Sequence, residues 1–301
     1  MRWCPRNQVI DGDALTVLRR LDAASVDMVL TSPPYFRLRD YGIPGQIGLE
    51  GTVDDWVETL GAVIAECRRV LKPTGTLWLN VGDSYSTRPL DGAGRKSLLL
   101  GPERLALQLT RSGWTLRNKI VWAKANPMPT SIKDRLACTW EYLLVLAANE
   151  RYYFDLDSIR QPHTSRLSKR NRRTAAVRGE KDLAWVGPNA DPPTGLLAMK
   201  ERGSIGHPLG KNPGDVWRIA TSNFRGAHHA TFPVELARRA IKAGCPPGGV
   251  VLDPFIGAGT TAVAAQELGR NWVGVELNPA FADLARRRVY EARAPDLDQA
   301  A

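Results

Sequence analysis

Apolar residues along this chain fall into two recurring patterns. Short runs rich in β-branched and aliphatic residues are cut off by proline or acidic residues; longer stretches between them place apolar positions three or four apart. The run Val26-Asp27-Met28-Val29-Leu30-Thr31 predicts a buried strand that ends abruptly at Pro33-Pro34. Residues 54–71 carry Val57, Leu60, Ile64, Cys67 and Leu71 near helical spacing, and Lys72-Pro73-Thr74-Gly75 predicts the stop of that helix. Residues 76–81 read as a strand. Residues 102–112 read as a helix with Pro102 near its start, followed by strands at 116–122 and 141–147. The second half repeats the idiom: a helix over 233–243, a buried strand at 249–252 broken by Asp253-Pro254, a helix over 260–268, a strand at 272–276 and a long basic helix over 279–294. Strands alternating with helices predict an α/β protein, its mostly parallel sheet covered by helices on both faces.

The stretch between the halves differs. From Arg160 to Lys211 there are 11 Lys and Arg against four Asp and Glu, a net of +7 out of a chain total of +10. It includes Lys169-Arg170-Asn171-Arg172-Arg173 and has little apolar periodicity. Blocks of like charge are often simply solvated; concentrated in one place, they also suit the phosphate backbone of a nucleic acid. At 301 residues the chain has room for two domains, or for one large domain with an insertion. No apolar run reaches the roughly 18 residues of a membrane-spanning helix, and the N-terminus carries no apolar signal segment, so a cytoplasmic protein with no membrane partner is expected. Cys4, Cys67, Cys138 and Cys245 form no C-x-x-C pair and lie at no metal-ligand spacing from the four histidines; reduced thiols and no metal are expected.

Two motifs carry candidate chemistry. Thr31-Ser32-Pro33-Pro34-Tyr35 directly follows a predicted strand. Each proline ring fixes φ and restricts the residue before it, so the turn is extended and rigid. Neither proline has an N–H to consume nearby carbonyls, Ser32 adds a hydroxyl acceptor and Tyr35 a flat aromatic face. Such a turn suits an exocyclic amino group on a planar base, although Ser-Pro-Pro also occurs where a strand merely ends. The second motif, Asp253-Pro254-Phe255-Ile256-Gly257-Ala258-Gly259-Thr260-Thr261, joins a predicted strand to a predicted helix. Its glycines let backbone approach a ligand and the helix start offers free N–H groups. It lacks the Gly-Lys-Ser/Thr of a Walker A loop. About 20 residues on, Glu276 ends the next strand, where a carboxylate can grip ribose hydroxyls.

Together these residues resemble the amino-methylating DNA methyltransferases, which use S-adenosylmethionine. Thr31–Tyr35 is similar to their catalytic motif and 253–261 to their cofactor loop. The catalytic motif precedes the cofactor loop, the order of the β group, in which target recognition falls between the two. Further segments agree: Asp11-Gly12-Asp13-Ala14-Leu15 resembles the acidic segment whose second Asp reaches the cofactor's adenine, Thr231-Phe232-Pro233 the segment closing over the methionine end, and 211–217 the run preceding it. Residues 155–210 stay unmatched.

The resemblance implies a Rossmann-like S-adenosylmethionine-dependent methyltransferase fold in circularly permuted motif order, plus an inserted target-recognition region. Its implied parts are 1–154 as the catalytic half, 155–216 as the basic recognition region and 217–301 as the cofactor-binding half. Catalysis falls to Ser32, Pro33, Pro34 and Tyr35. Cofactor binding falls to Asp13, Ala14, Thr231, Phe232, Pro233, Asp253, Pro254, Phe255, Gly257, Gly259, Thr260, Thr261, Glu276, Leu277 and Asn278. DNA contacts are expected from Arg37, Arg39, Lys169, Arg170, Arg172 and Arg173.

Ser-Pro-Pro-Tyr is the usual signature of cytosine N4 in this family and Asp-Pro-Pro-Tyr that of adenine N6. The expected reaction is therefore methyl transfer to N4 of a cytosine flipped out of double-stranded DNA. Adenine N6, an RNA or protein-amide substrate, and a catalytically silent DNA-binding relative are the alternatives. A cognate restriction endonuclease acting on the same site and a homodimer are the further partners the resemblance admits. Trp122 and Trp140 read as core or rim packing, and Arg286-Arg287-Arg288 as an exposed helix face. His228-His229 reads either as a polar loop or as a contact to DNA or cofactor.

Overall fold

The computed structural model describes residues 3–163, 209–221 and 232–292. Eight strands form one sheet: β1 (Gln8–Asp11), β2 (Val26–Thr31), β3 (Leu71–Val81), β4 (Thr115–Lys124), β5 (Trp140–Ala147), β6 (Val216–Ile219), β7 (Val250–Asp253) and β8 (Asn271–Glu276), in the order β1-β8-β7-β2-β3-β5-β4-β6. Among these described strands, β5 pairs antiparallel with β3 and β4, and the other pairings are parallel. Among the described residues, the α-helices are α1 (Ala14–Arg20), α2 (Val53–Val70), α3 (Gly101–Arg111), α4 (Val234–Gly244), α5 (Thr260–Glu267) and α6 (Pro279–Glu291). The connections through α1, α2 and α3 run along the sheet in one direction, and those through α4 and α5 in the other. Right-handed crossovers therefore put the two groups on opposite faces. The mostly parallel α/β sheet read from the sequence is the architecture found.

Every residue of β2 is buried, as a strand covered on both faces requires. Its one charged residue, Asp27, accepts from Lys72 Nζ at 2.9 Å and from the Val250 N–H at 2.9 Å, which ties β2 to β3 and β7. Helix α2 opens with reciprocal hydrogen bonds between Thr52 and Asp55. It buries Trp56, Val57, Leu60, Val63, Ile64, Cys67 and Val70, the face its spacing predicts. The predicted stop at 72–75 is placed differently. The helix ends at Val70, and residues 72–75 are an excursion inside β3: Val26 pairs with Leu71, but Met28 pairs with Thr76. Pro73 disfavours helical geometry at Lys72, so the chain turns extended before the glycine.

Strand β1, helix α1 and strand β6 are elements the apolar pattern does not announce. Helix α1 is short; Arg69 of α2 satisfies its last turn, donating to the carbonyls of Leu18 (2.7 Å) and Leu21 (2.9 Å). On β3, the buried Trp78 stacks on Phe154 at 6.2 Å and donates its indole N–H to Thr76 Oγ1. Contacts divide the chain into two units, Met1–Asp155 with Gly214–Ala301, and Leu156–Pro213. In the second, Gln161 and Lys211 exchange backbone hydrogen bonds at 3.0 and 2.8 Å. Among the described residues no helix is long and apolar enough to cross a membrane.

Candidate active site

The chain leaves β2 toward β3 on one side and leaves β7 toward β8 on the other, so the adjacent carboxyl ends of β2 and β7 mark the point where the winding reverses. Open α/β sheets bind ligands in the crevice there. A cleft of about 520 Å³ lies there, lined by residues following β1, β2, β7 and β8 and by Asn80, Lys124 and Glu141 from β3, β4 and β5.

Thr31–Tyr35 forms one wall. The Trp56 indole donates to the Pro34 carbonyl at 2.9 Å, fixing the turn from below, and the next side chain, Phe36, is buried. Ser32 and Tyr35 both face the cleft, and Ser32 Oγ lies 3.3 Å from the Tyr35 hydroxyl. That hydroxyl donates to Glu141 Oε2 at 2.8 Å and lies 3.3 Å from Asn80 Oδ1. On its other oxygen Glu141 accepts from Lys124 Nζ at 2.6 Å. Burial, and then the Glu141 charge, push the Tyr35 phenol well above its ordinary pKa, so it stays protonated as a donor. Gly82 makes the packing possible: a Cβ there would meet Tyr35 Cε2 at 2.9 Å. Asn80, Lys124 and Glu141 escaped the sequence reading. The available signal was Glu141, a carboxylate at the head of the apolar run 142–147.

The opposite wall is the loop between β7 and α5. Asp253 is 2% exposed, and the protein uses both of its oxygens: Oδ1 takes the Thr31 hydroxyl (2.6 Å) and the Phe255 N–H (3.1 Å), and Oδ2 takes the Thr261 hydroxyl (2.6 Å). Burial still raises its carboxyl from 3.8 to about 6, against the pull of those hydrogen bonds. Asp253 is thus a brace that shapes the loop. Glu276 is better placed to grip a ligand. One oxygen accepts the Gly257 N–H and the other the Asn278 N–H, each at 2.9 Å, which aims a carboxylate that burial has raised above its ordinary pKa.

Pro254, Phe255, Gly257, Thr260, Leu277 and Asn278 all line the cleft beside it. Asn278 also caps α6 through the Ala280 N–H. Gly259, at φ +82°, starts α5 so close to α6 that a Cβ would lie 3.1 Å from Ala285. Arg288 was read as part of an exposed face; its guanidinium instead turns inward to the Ala258 carbonyl and the Thr260 hydroxyl.

Asp13 and Ala14 stand on the cleft's lip. The Asp13 carboxylate caps α1, accepting from Thr16 N and Thr16 Oγ1 at 2.8 and 2.7 Å. Phe232 closes another side, with Pro233 buried behind it at the start of α4. Arg39 lines the cleft. Arg37, expected to reach phosphate, adopts φ +50° and turns inward: it donates to the Glu50 carbonyl at 2.7 Å and pairs with buried Asp91 at 3.4 Å. Thr231, His228, His229, Lys169, Arg170, Arg172 and Arg173 lie outside the described residues. Trp122 is buried, as read; Trp140 sits half-exposed against Tyr142.

The donor set fits a cationic nucleoside ligand. It offers an aimed carboxylate at Glu276 and apolar surface from Phe255, Ile256 and Phe281.

Comparison with known proteins agrees with this geometry. A family model described as DNA methylase, of the N6/N4 type, matches residues 26–287. The type II methyltransferase M.SmaI of Serratia marcescens is 37% identical over 308 residues, covering 95% of this chain and 91% of the relative. M.Cfr9I of Citrobacter freundii is 39% identical over 302 residues, covering 93% and 87%. The Thermus thermophilus protein TTHA0409, solved in complex with S-adenosyl-L-methionine, superposes with a TM-score of 0.61 at 28% identity, covering 95% of this chain and 94% of that one. The PvuII cytosine-N4-specific methyltransferase, at 17% identity and a TM-score of 0.64 over 94% and 90% of the chains, shares the fold. The chain, whose Ser32–Tyr35 turn and Asp253–Thr261 loop meet at the switch point, thus belongs to the N6/N4 DNA methylase family.

Proposed function

We propose that this DNA methyltransferase moves a methyl group to the exocyclic N4 of a cytosine flipped out of duplex DNA. The donor is S-adenosylmethionine, which supplies an electrophilic methyl on a sulfonium centre. Glu276, Phe255, Ile256 and Phe281 hold it, with Asp13, Phe232 and the 253–261 loop completing its walls. The observation that carries the cytosine reading is Ser32, in place of an acidic residue, at the head of the Pro-Pro-Tyr turn and facing the cleft.

The cytosine amino lone pair is delocalised into the ring and is a poor nucleophile. Ser32 Oγ and the Pro33 carbonyl accept its two hydrogens, which favours a pyramidal nitrogen with its lone pair free to attack. Tyr35 forms the wall against which the base rests. Holding the reacting atoms at the roughly 3–3.5 Å of a near-attack arrangement is the protein's main contribution. The amino proton leaves to solvent after transfer. Residues 1–154 and 217–301 supply the two walls. The basic 155–216 region, with Lys169, Arg170, Arg172 and Arg173, contacts phosphates and reads the target site, and extrusion of the base costs a few kcal/mol. The type II names of the relatives support a restriction endonuclease cutting the same site.

The test is incubation of the purified protein with unmethylated plasmid and labelled S-adenosylmethionine, followed by digestion to nucleosides and mass spectrometry. N4-methylcytosine is the expected product. N6-methyladenine would overturn the base assignment and leave the family activity standing.

A further inference from the structure

We infer that Glu141, held by Lys124, is a positioning residue that orients the Ser32 hydroxyl as a hydrogen-bond acceptor for the target amino group. The argument is one of donor and acceptor inventory. Asn80 Nδ2 has two hydrogens, and its acceptors are Glu141 Oε2 at 3.2 Å and the Tyr142 carbonyl at 3.0 Å. That fixes the amide with Oδ1 toward Tyr35. The Tyr35 hydroxyl therefore faces two groups that can only accept, Asn80 Oδ1 at 3.3 Å and Glu141 Oε2 at 2.8 Å. It donates to the nearer, charged one.

Its own oxygen is left as an acceptor with two lone pairs; the Gly82 N–H bears on it, and Ser32 Oγ, 3.3 Å away, donates to it. The Ser32 proton is thus committed, and its lone pairs remain for a ligand. Turned the other way, the hydroxyl would meet an amino group hydrogen-to-hydrogen. Lys124 Nζ, 2.6 Å from Glu141 Oε1, pairs with the carboxylate and fixes its orientation; the Glu141 side chain is only 16% exposed. All five residues line the cleft.

The inference rests on the reading of Ser32 as the amino-group acceptor. A double-mutant cycle in the plasmid methylation assay tests it, with kcat, KM for DNA and cofactor affinity measured for each protein. Lys124 needs an acceptor on Oε1, so Glu141→Gln must turn its amide hydrogens toward Tyr35 and reverse the chain. The expected result is a kcat about 10- to 100-fold lower, with cofactor Kd and KM for DNA within about two-fold of wild type.

In a Tyr35→Phe background the chain is already cut, and Glu141→Gln should cost less than about two-fold more. Equal losses in both backgrounds would overturn the role, as would a Glu141→Gln enzyme with wild-type kcat. Should that variant fail to show a cooperative melt, Glu141→Asp, whose shorter arm withdraws the carboxylate from Tyr35, is put through the same cycle and judged by the same criteria. Methyl found on adenine N6 would overturn the cytosine assignment, and the cycle would then report on Glu141 with that base.

Discussion

Thr31 and Asp253, 222 residues apart in the chain, are joined by a 2.6 Å hydrogen bond between the adjacent ends of β2 and β7. This bond ties the Ser-Pro-Pro-Tyr turn to the 253–261 loop. The Thr261 hydroxyl reaches the carboxylate's other oxygen, so one buried acid holds both walls and the start of α5.

Because burial lifts Asp253 from 3.8 to about 6, its ionised form is disfavoured in the folded protein. Its contribution to stability is full below pH 3.8 and is lost as pH rises through about 6, a change on the order of 2–3 kcal/mol. Asp253→Asn does not titrate. The melting temperature of wild type should therefore fall relative to that of Asp253→Asn between pH 4.5 and pH 8, as read by thermal denaturation of the two proteins in parallel. A pH-independent difference would show that the carboxyl is not raised.

Binding and chemistry should separate on the two walls. Ser32→Ala is expected to lower methyl transfer by about 10²–10³-fold, the effect of losing one aimed hydrogen-bonding group, with cofactor affinity within two-fold of wild type. Glu276→Ala removes the acceptor of two backbone N–H groups together with the proposed ligand grip, and should raise the cofactor Kd by about 10–100-fold. Titration calorimetry beside the rate assay checks both, and an unchanged Kd for Glu276→Ala would contradict the assigned wall.

Trp56→Phe keeps an aromatic ring beside the Ser32–Tyr35 turn but removes the donor to the Pro34 carbonyl. Leaving that carbonyl without its indole partner should cost about 1–3 kcal/mol, and the loosened turn should lose kcat more than cofactor affinity. Urea midpoints and initial rates measure the two effects.

If residues 169–173 contact phosphates, converting Lys169, Arg170, Arg172 and Arg173 to Gln should flatten the plot of log binding constant against log salt by about 3–4 units of slope. Fluorescence anisotropy with a duplex oligonucleotide at several salt concentrations gives that slope. An unchanged slope would place the phosphate contacts elsewhere.

Where a single stretch of chain carries both strand and turn, the sequence was readable. Residues 26–35 and 250–261 each contain a buried strand, its abrupt end and the polar atoms that follow, and both lie where the cleft forms. Residues assembled by sheet register were not readable. Glu141 meets Tyr35 only because antiparallel β5 sets Leu143 opposite Asn80 and Tyr142 opposite Val81, while β4 places Trp122 opposite Glu141. Strand β6, with four residues, is too short to show a period. Arg37 and Arg288 were misread for a shared reason. A cation's place in the chain does not reveal which way its long arm folds, and buried Asp91 draws in one while the Ala258 carbonyl draws in the other.

The neighbourhood of β1 has a consequence for chain connectivity. This strand pairs with β8, and Arg286 of α6 reaches across to Asp11 and to the Val9 carbonyl, so the first strand and the last helix lie side by side. A short linker between them, with the chain reopened inside residues 164–208, would keep every described strand pairing while the Asp253 loop came to precede Ser32 in synthesis. Motif order along the chain is thus set by where the ring of elements is opened, and the strand pairings that build the cleft do not depend on it.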